Sequence, residues 1–149
     1  MDIRPIAPAD ADLYRKLLVS LSDRDLYLRF FHTMRELGDA EIEPFVRANP
    51  DMLGYVAIED GEVVGAAHAF IDQPRSIAEF AVEVRPEYRH RGVGGKLLEH
   101  VIRELRAHGV HELVAHSLFD NTEFALVAAD AHMRPAREGA GVNLWRLHL

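Results

Sequence analysis

The stretch that most constrains this chain is a turn, Arg89-His90-Arg91-Gly92-Val93-Gly94-Gly95-Lys96. Before it, Phe80, Val82 and Val84 alternate with Glu79, Ala81 and Glu83, the period of a strand with both glutamates on one face. After it, Leu97, Leu98, Val101, Ile102 and Leu105 recur in helical register, and His108-Gly109 supplies the glycine that ends a helix. A strand therefore enters a turn of small residues and a long amphipathic helix leaves it. The first amides of such a helix have no partner, and its dipole adds positive charge there. The glycines let an anion approach the main chain. Arg85, Arg89, Arg91 and Lys96 add charge, with His90 beside them and only Glu87 opposing. The pattern predicts a phosphate or pyrophosphate ligand.

Two familiar phosphate loops fail here. A Walker loop needs Ser or Thr after Gly-Lys, and Leu97 follows Lys96. A dinucleotide fingerprint needs a glycine where Leu97 stands and a place after the first strand of a unit, whereas several strand patterns precede this turn. The net charge of −7 disfavours binding to nucleic acid, which asks for a broad basic surface. With no cysteine, disulfides, thiolate nucleophiles and cysteine-held metals are excluded. The start has no secretory pattern, and the longest apolar run, residues 124–129, is far short of a membrane span. The expectation is a soluble cytoplasmic protein, with one domain over residues 1–149.

Hydrophobic periodicity predicts the remaining elements. Residues 2–6 read as a short strand, and Leu13, Leu17, Leu18 and Leu21 as a helix. Ser22-Asp23-Arg24-Asp25 resembles a capping box for a helix carrying Leu26, Tyr27, Phe30 and Phe31, aromatics expected in the core. A third helix is predicted over residues 39–48. Pro44 belongs in a first turn, so this helix is expected to begin late. Residues 53–58 and 62–71 flank the hairpin signal Glu59-Asp60-Gly61. Gly65, Ala66 and Ala67 invite close packing by another element. Residues 110–118 form a strand, a helix runs from Asp120-Asn121 to about Ala131, and residues 133–149 form a closing hairpin around Gly139-Ala140-Gly141. The sum is an α/β fold of about seven strands in a mixed sheet.

The turn and its setting resemble the GNAT N-acetyltransferase superfamily. Arg89-His90-Arg91-Gly92-Val93-Gly94 matches the Gln/Arg-x-x-Gly-x-Gly/Ala loop that binds acyl-CoA in that family. Arg4-Pro5-Ile6, Leu21-Ser22, Tyr27-Leu28-Arg29-Phe30-Phe31 and Ala78-Glu79-Phe80-Ala81-Val82 look like the catalytic domain of bacterial Pat-type protein lysine acetyltransferases. The resemblance implies a GNAT domain with a mostly antiparallel sheet flanked by helices. Its strands 77–84 and 110–118 would splay around the pantetheine of acetyl-CoA. Backbone groups of Val82 and Val84 would hold the pantetheine arm, and the amide near Val82 would face the thioester oxygen and stabilise the oxyanion. Loop amides from His90 to Lys96, including Gly95, would take the pyrophosphate, and Asn121 would bond to the pantetheine while also capping a helix.

An acceptor amine with a pKa of about 10.4 must lose a proton before it attacks. Glu79 stands where the Pat-type family places the base, and Glu83, on the same strand face, is the runner-up. Departures from the Pat-type pattern are Phe124-Ala125 and His132-Met133, where Gly-Phe is usual; Ala128 stands where many GNAT enzymes place a tyrosine as acid, and a small residue there fits the Pat-type group. The His111-Glu112-Leu113-Val114-Ala115-His116 run mimics a zinc-binding helix one residue too long. As a strand it faces its histidines to opposite sides, so no metal is expected. Trp145 reads as packing. The implied function is direct acetyl transfer from acetyl-CoA to a primary amine, with a protein lysine as the favoured acceptor. A small-molecule amine acetyltransferase and an inactive acyl-CoA-binding sensor are the alternatives. Monomer and homodimer both remain open.

Overall fold

The structure, a computed structural model, describes residues 1–30 and 36–149. Strand β1 (Asp2–Pro5) leads through a short 3-10 turn, Pro8–Asp10, into helices α1 (Ala11–Val19), α2 (Asp23–Phe30) and α3 (Asp39–Val46). Strands β2 (Met52–Glu59), β3 (Glu62–Asp72) and β4 (Ile77–Val84) follow, then helix α4 (Val93–Ala107) and strand β5 (Glu112–Leu118). Helix α5 (Thr122–Asp130) and strands β6 (Arg134–Arg137) and β7 (Val142–His148) complete the chain.

Local chemistry accounts for several boundaries. The capping box closes as its sequence implies. The Asp25 amide donates to Ser22 Oγ at 3.0 Å, and the Ser22 amide to Asp25 Oδ2 at 3.3 Å. Asp60 and Gly61 both take positive φ, 52° and 76°, which makes the two-residue turn that matches the twist of β2 and β3. At the end of α4 the Val110 amide reaches Leu105 O and the Gly109 amide reaches Arg106 O, with Gly109 at φ 75°.

Two expectations are corrected. Helix α3 does not begin late: it starts at Asp39, and Pro44 lies inside it. Pro44 has no N–H to return to the preceding turn, but the helix ends two residues later, and buried Ile42 and Val46 hold it by packing. Tyr27 is not in the core but 45% exposed, because α2 turns that face toward solvent. The expected place of Phe31 lies outside the described residues.

The seven strands form one open sheet in the order β1-β2-β3-β4-β5-β7-β6. Every neighbouring pair is antiparallel except β4 and β5. One face packs α4 and α5 around Leu97, Leu98, Val101, Leu105 and Phe80, and Trp145 joins this core with its indole N–H bonded to Ser117 Oγ at 2.9 Å. Small residues let α4 lie close, since a Cβ on Gly65 would stand 2.8 Å from Val93 Cγ1. The other face packs α1, α2 and α3 around Tyr14, Leu17, Leu18, Leu26 and Ile42.

The β4–β5 pairing governs the site. It joins only Ile77 to Glu112, Ala78 to Leu113 and Glu79 to Val114. Beyond Glu79 the two strands diverge, although β4 runs on to Val84 and β5 to Leu118.

Candidate active site

A cavity of about 820 Å³ opens where β4 and β5 part. Its walls are the diverging strands, α2, the glycine turn, the first turn of α4 and one side of α5. Glu79, Val82, Val84, Arg89, His90, Gly92, Val93, Gly94, Gly95 and Asn121 all line it. Arg91 and Lys96 do not: both are exposed, and the Arg91 guanidinium lies over the Tyr88 ring, 5.2 Å from its centre.

The glycine turn presents main-chain donors at the start of α4. Gly92 caps α4 with φ 81°, a conformation that L side chains resist. The first intrahelical bond runs from the Lys96 amide to Gly92 O at 3.0 Å, so the amides of Val93, Gly94 and Gly95 precede the ladder. A Cβ on Gly95 would meet nothing within 4 Å, which leaves open space over those amides. A Cβ on Gly94 would press on Val127 Cγ2 at 3.2 Å, so Gly94 serves the approach of α5 to α4. These residues fit a pyrophosphate.

The side-chain charges around the cavity are mostly paired with one another. Arg89 donates to Asp25 Oδ2 at 3.0 Å, His90 faces Glu123 at 3.0 Å, and Arg24 faces Asp120 at 3.2 Å. Burial works against the charged form of Asp25, yet its bonds from Arg89 and Ser22 hold its carboxyl below the usual range. The sequence did not reveal these partners, and they leave the main-chain amides as the donors that face the cavity. Asn121 caps α5, its Oδ1 accepting from the Phe124 amide at 3.1 Å.

The two glutamates on β4 share a face and differ in setting. Glu83 keeps 2% of its side-chain surface and accepts from Arg29 Nε at 2.6 Å, beneath α1 and α2. Glu79 keeps 48% and stands at the point where the strands part. Its Oε1 lies 2.7 Å from His116 Nδ1, and His116 Nε2 lies 2.9 Å from Glu138 Oε2. His116 and Glu138 were absent from the sequence-derived site. The alternation of β5 puts His116 on the Glu79 face, whereas Glu138 arrives only through the β6–β7 return.

The family departures are absorbed by the fold. His132 takes φ 65°, the conformation a glycine would adopt freely. Its amide reaches Ala129 O and that of Met133 reaches Ala128 O, both at 3.0 Å, closing α5. Met133 and Ala128 are both buried in the α4–α5 core.

A model of the Acetyltransferase (GNAT) family matches residues 16–125. The fold is similar to that of the GNAT domain of S. lividans PAT, with a TM-score of 0.92, 27% identity, and 99% of this chain and 89% of that chain covered. It is also similar to the ribosomal-protein-alanine N-acetyltransferase of Brucella melitensis, with a TM-score of 0.78, 21% identity, and 100% and 99% of the two chains covered. A third likeness is to the PaiA N-acetyltransferase of Thermoplasma acidophilum in complex with coenzyme A, with a TM-score of 0.80, 14% identity, and 99% and 98% covered. The forked sheet, the glycine-capped α4 and the cavity between them have one explanation: this chain belongs to the acetyltransferase (GNAT) family, enzymes that acetylate amines.

Proposed function

We propose that residues 1–149 act as one catalytic domain that acetylates a protein lysine side chain, with acetyl-CoA as donor and Glu79 as base. The observation that carries this reading is the contrast between the two glutamates. Glu79 stands half-exposed on the cavity wall, while Glu83 is sealed against Arg29. Support for a lysine acceptor comes from the resemblance to Pat-type enzymes and from the likeness to the GNAT domain of S. lividans PAT.

Acetyl-CoA supplies an activated thioester. In this reading the amides of Val93, Gly94 and Gly95 hold its pyrophosphate, with Arg89, His90 and Gly92 shaping the loop and Arg91 and Lys96 adding outer charge. Main-chain groups of Val82 and Val84, together with Asn121, hold its pantetheine. Glu79 takes a proton from the acceptor ammonium, directly or through water, and the neutral nitrogen attacks. Ala128 has no proton to give the departing thiolate, which leaves that step to water or another group.

The test is acetyl-CoA turnover by the purified chain with lysine peptides, polyamines and no acceptor, for wild type and Glu79→Gln. Turnover on lysine peptides, lowered about 100-fold or more by Glu79→Gln and partly restored at high pH, is expected. Turnover on polyamines alone would redirect the reading to small-molecule amines. Acetyl-CoA binding without turnover on any amine would make the chain a sensor.

A further inference from the structure

We infer that His116 is a positioning residue for Glu79 and that Glu138 is its anchor. The three side chains form a carboxylate–imidazole–carboxylate chain that fixes Glu79 through Oε1 and leaves Oε2 for the acceptor ammonium. This inference rests on Glu79 being the base.

The geometry leaves little freedom in how this chain is protonated. One ring nitrogen lies 2.7 Å from Glu79 and the other 2.9 Å from Glu138. A carboxylate brings no proton to such a contact, and a neutral imidazole brings only one. Two short contacts to two anions therefore describe an imidazolium donating at both ends. Although burial of the ring favours the neutral form, the hydrogen bonds and negative charges of Glu79 and Glu138 outweigh it and hold the ring above its usual range.

Among the described residues, the other charged side chains on the neighbouring strand and helix have partners of their own. On β7, Leu144 lies opposite His116, and Arg146 two residues on is bonded to Glu112 at 3.0 Å. On α2, Arg29 is bonded to Glu83 and Arg24 to Asp120. Without His116, Glu79 would be a half-exposed side chain with three rotatable bonds and no hydrogen bond to hold it, under the charge of Arg29 alone. Glu138 does not line the cavity, so it acts on Glu79 only through the ring.

Loss of a ring proton leaves one of the two contacts without hydrogen, and two lone pairs then face each other. The latch therefore opens as pH rises through the ring's titration, and the two carboxylates move that opening to higher pH than a free imidazole would show. The 37 and 22 residues that separate His116 from its two partners keep this arrangement out of any sequence motif.

Nitrogen-15 NMR of the histidine rings in the whole chain tests the proposal directly. His116 is assigned by its loss in His116→Asn. Its pKa is expected above 6.5, falling by about half a unit or more in Glu138→Gln. In steady-state kinetics, His116→Asn should lower kcat about tenfold and Glu138→Gln about threefold. KM for acetyl-CoA and Tm should not move, and the alkaline inflection of kcat should shift in Glu138→Gln. A wild-type ring that titrates at or below 6.5, or variants with wild-type kcat and pH profile, overturns the positioning role. Glu79→Gln separates the two readings. Full activity there removes the base and this role with it, whereas lost activity beside unaffected His116→Asn and Glu138→Gln removes this role alone.

Discussion

Single residues in this protein divide between holding the fold and facing the ligand, and the division is testable. Gly95 has open space at its missing Cβ, so Gly95→Leu should fold with an unchanged or raised Tm. Its side chain would nevertheless cover the first amides of α4, and the Kd for acetyl-CoA should rise at least about tenfold. Unchanged affinity in a calorimetric titration would rule out those amides as the anion cradle. His132 works in the opposite sense. It sits at φ 65° in the terminating turn of α5, where an L side chain costs about 1–2 kcal/mol. His132→Gly should therefore stabilise the chain by up to about 1 kcal/mol in a denaturant titration, since glycine returns part of that gain as chain entropy. A fall in stability would mean that the imidazole has a contact worth more than the strain.

At the scale of elements, α2 is fastened to three other parts by ions: Arg24 to Asp120 before α5, Asp25 to Arg89 of the glycine turn, and Arg29 to Glu83 of β4. The first two are partly wet and contribute little each. The third is buried, and removing one partner leaves the other charge uncompensated. Glu83→Gln should cost about 3 kcal/mol, or a Tm loss on the order of 10 °C. Glu79→Gln, four residues earlier on the same face, should leave Tm almost unmoved while turnover falls. Equal Tm losses in the two variants would erase the distinction drawn between them.

The elements themselves were legible because their periods are local. The five apolar positions of α4, the Asp60-Gly61 turn and the capping box at Ser22 each declare a structure within a few residues. Glu79 and the glycine turn were legible for the same reason. Partners from distant segments were not: Asp25 meets Arg89 across 64 positions, and Glu138 meets His116 only after a strand, a helix and a turn. Pro44 misled because the packing of buried Ile42 and Val46 holds α3 despite the one bond missing at the proline nitrogen.

At the scale of the whole molecule, one buried histidine links the fold to acidity. His68 has no exposed surface, and its Nε2–H donates to Phe45 O at 2.9 Å, tying β3 to α3. Burial, helped by the nearby Arg29 charge, pushes its pKa down to about 4. The unfolded chain binds this proton near pH 6.5 and the folded chain does not. Stability is therefore full above about pH 6.5 and is lost as pH falls toward 4, by on the order of 3 kcal/mol. His68→Gln keeps an N–H for Phe45 and should flatten that slope in urea titrations between pH 4 and 6.5. An unchanged slope would place the acid sensitivity elsewhere. No helix among the described residues is long and apolar enough to cross a membrane.

The three-residue pairing of β4 with β5 has a mechanical meaning. The sheet is two half-sheets stitched by a short seam, and past Glu79 each half presents a raw inner edge to the other. An elongated ligand carrying amide groups can lie there as a strand that the polypeptide never supplied. Filling the fork then completes the sheet as folding would, and amide hydrogen exchange should show it. The amide protons of residues 80–84 and 115–118 that face the fork, rather than β3 or β7, should exchange faster in the free protein than those of β3, which has a neighbour on both sides. They should slow together when acetyl-CoA enters, so that a metabolite would act as the missing stitch between two halves of one fold.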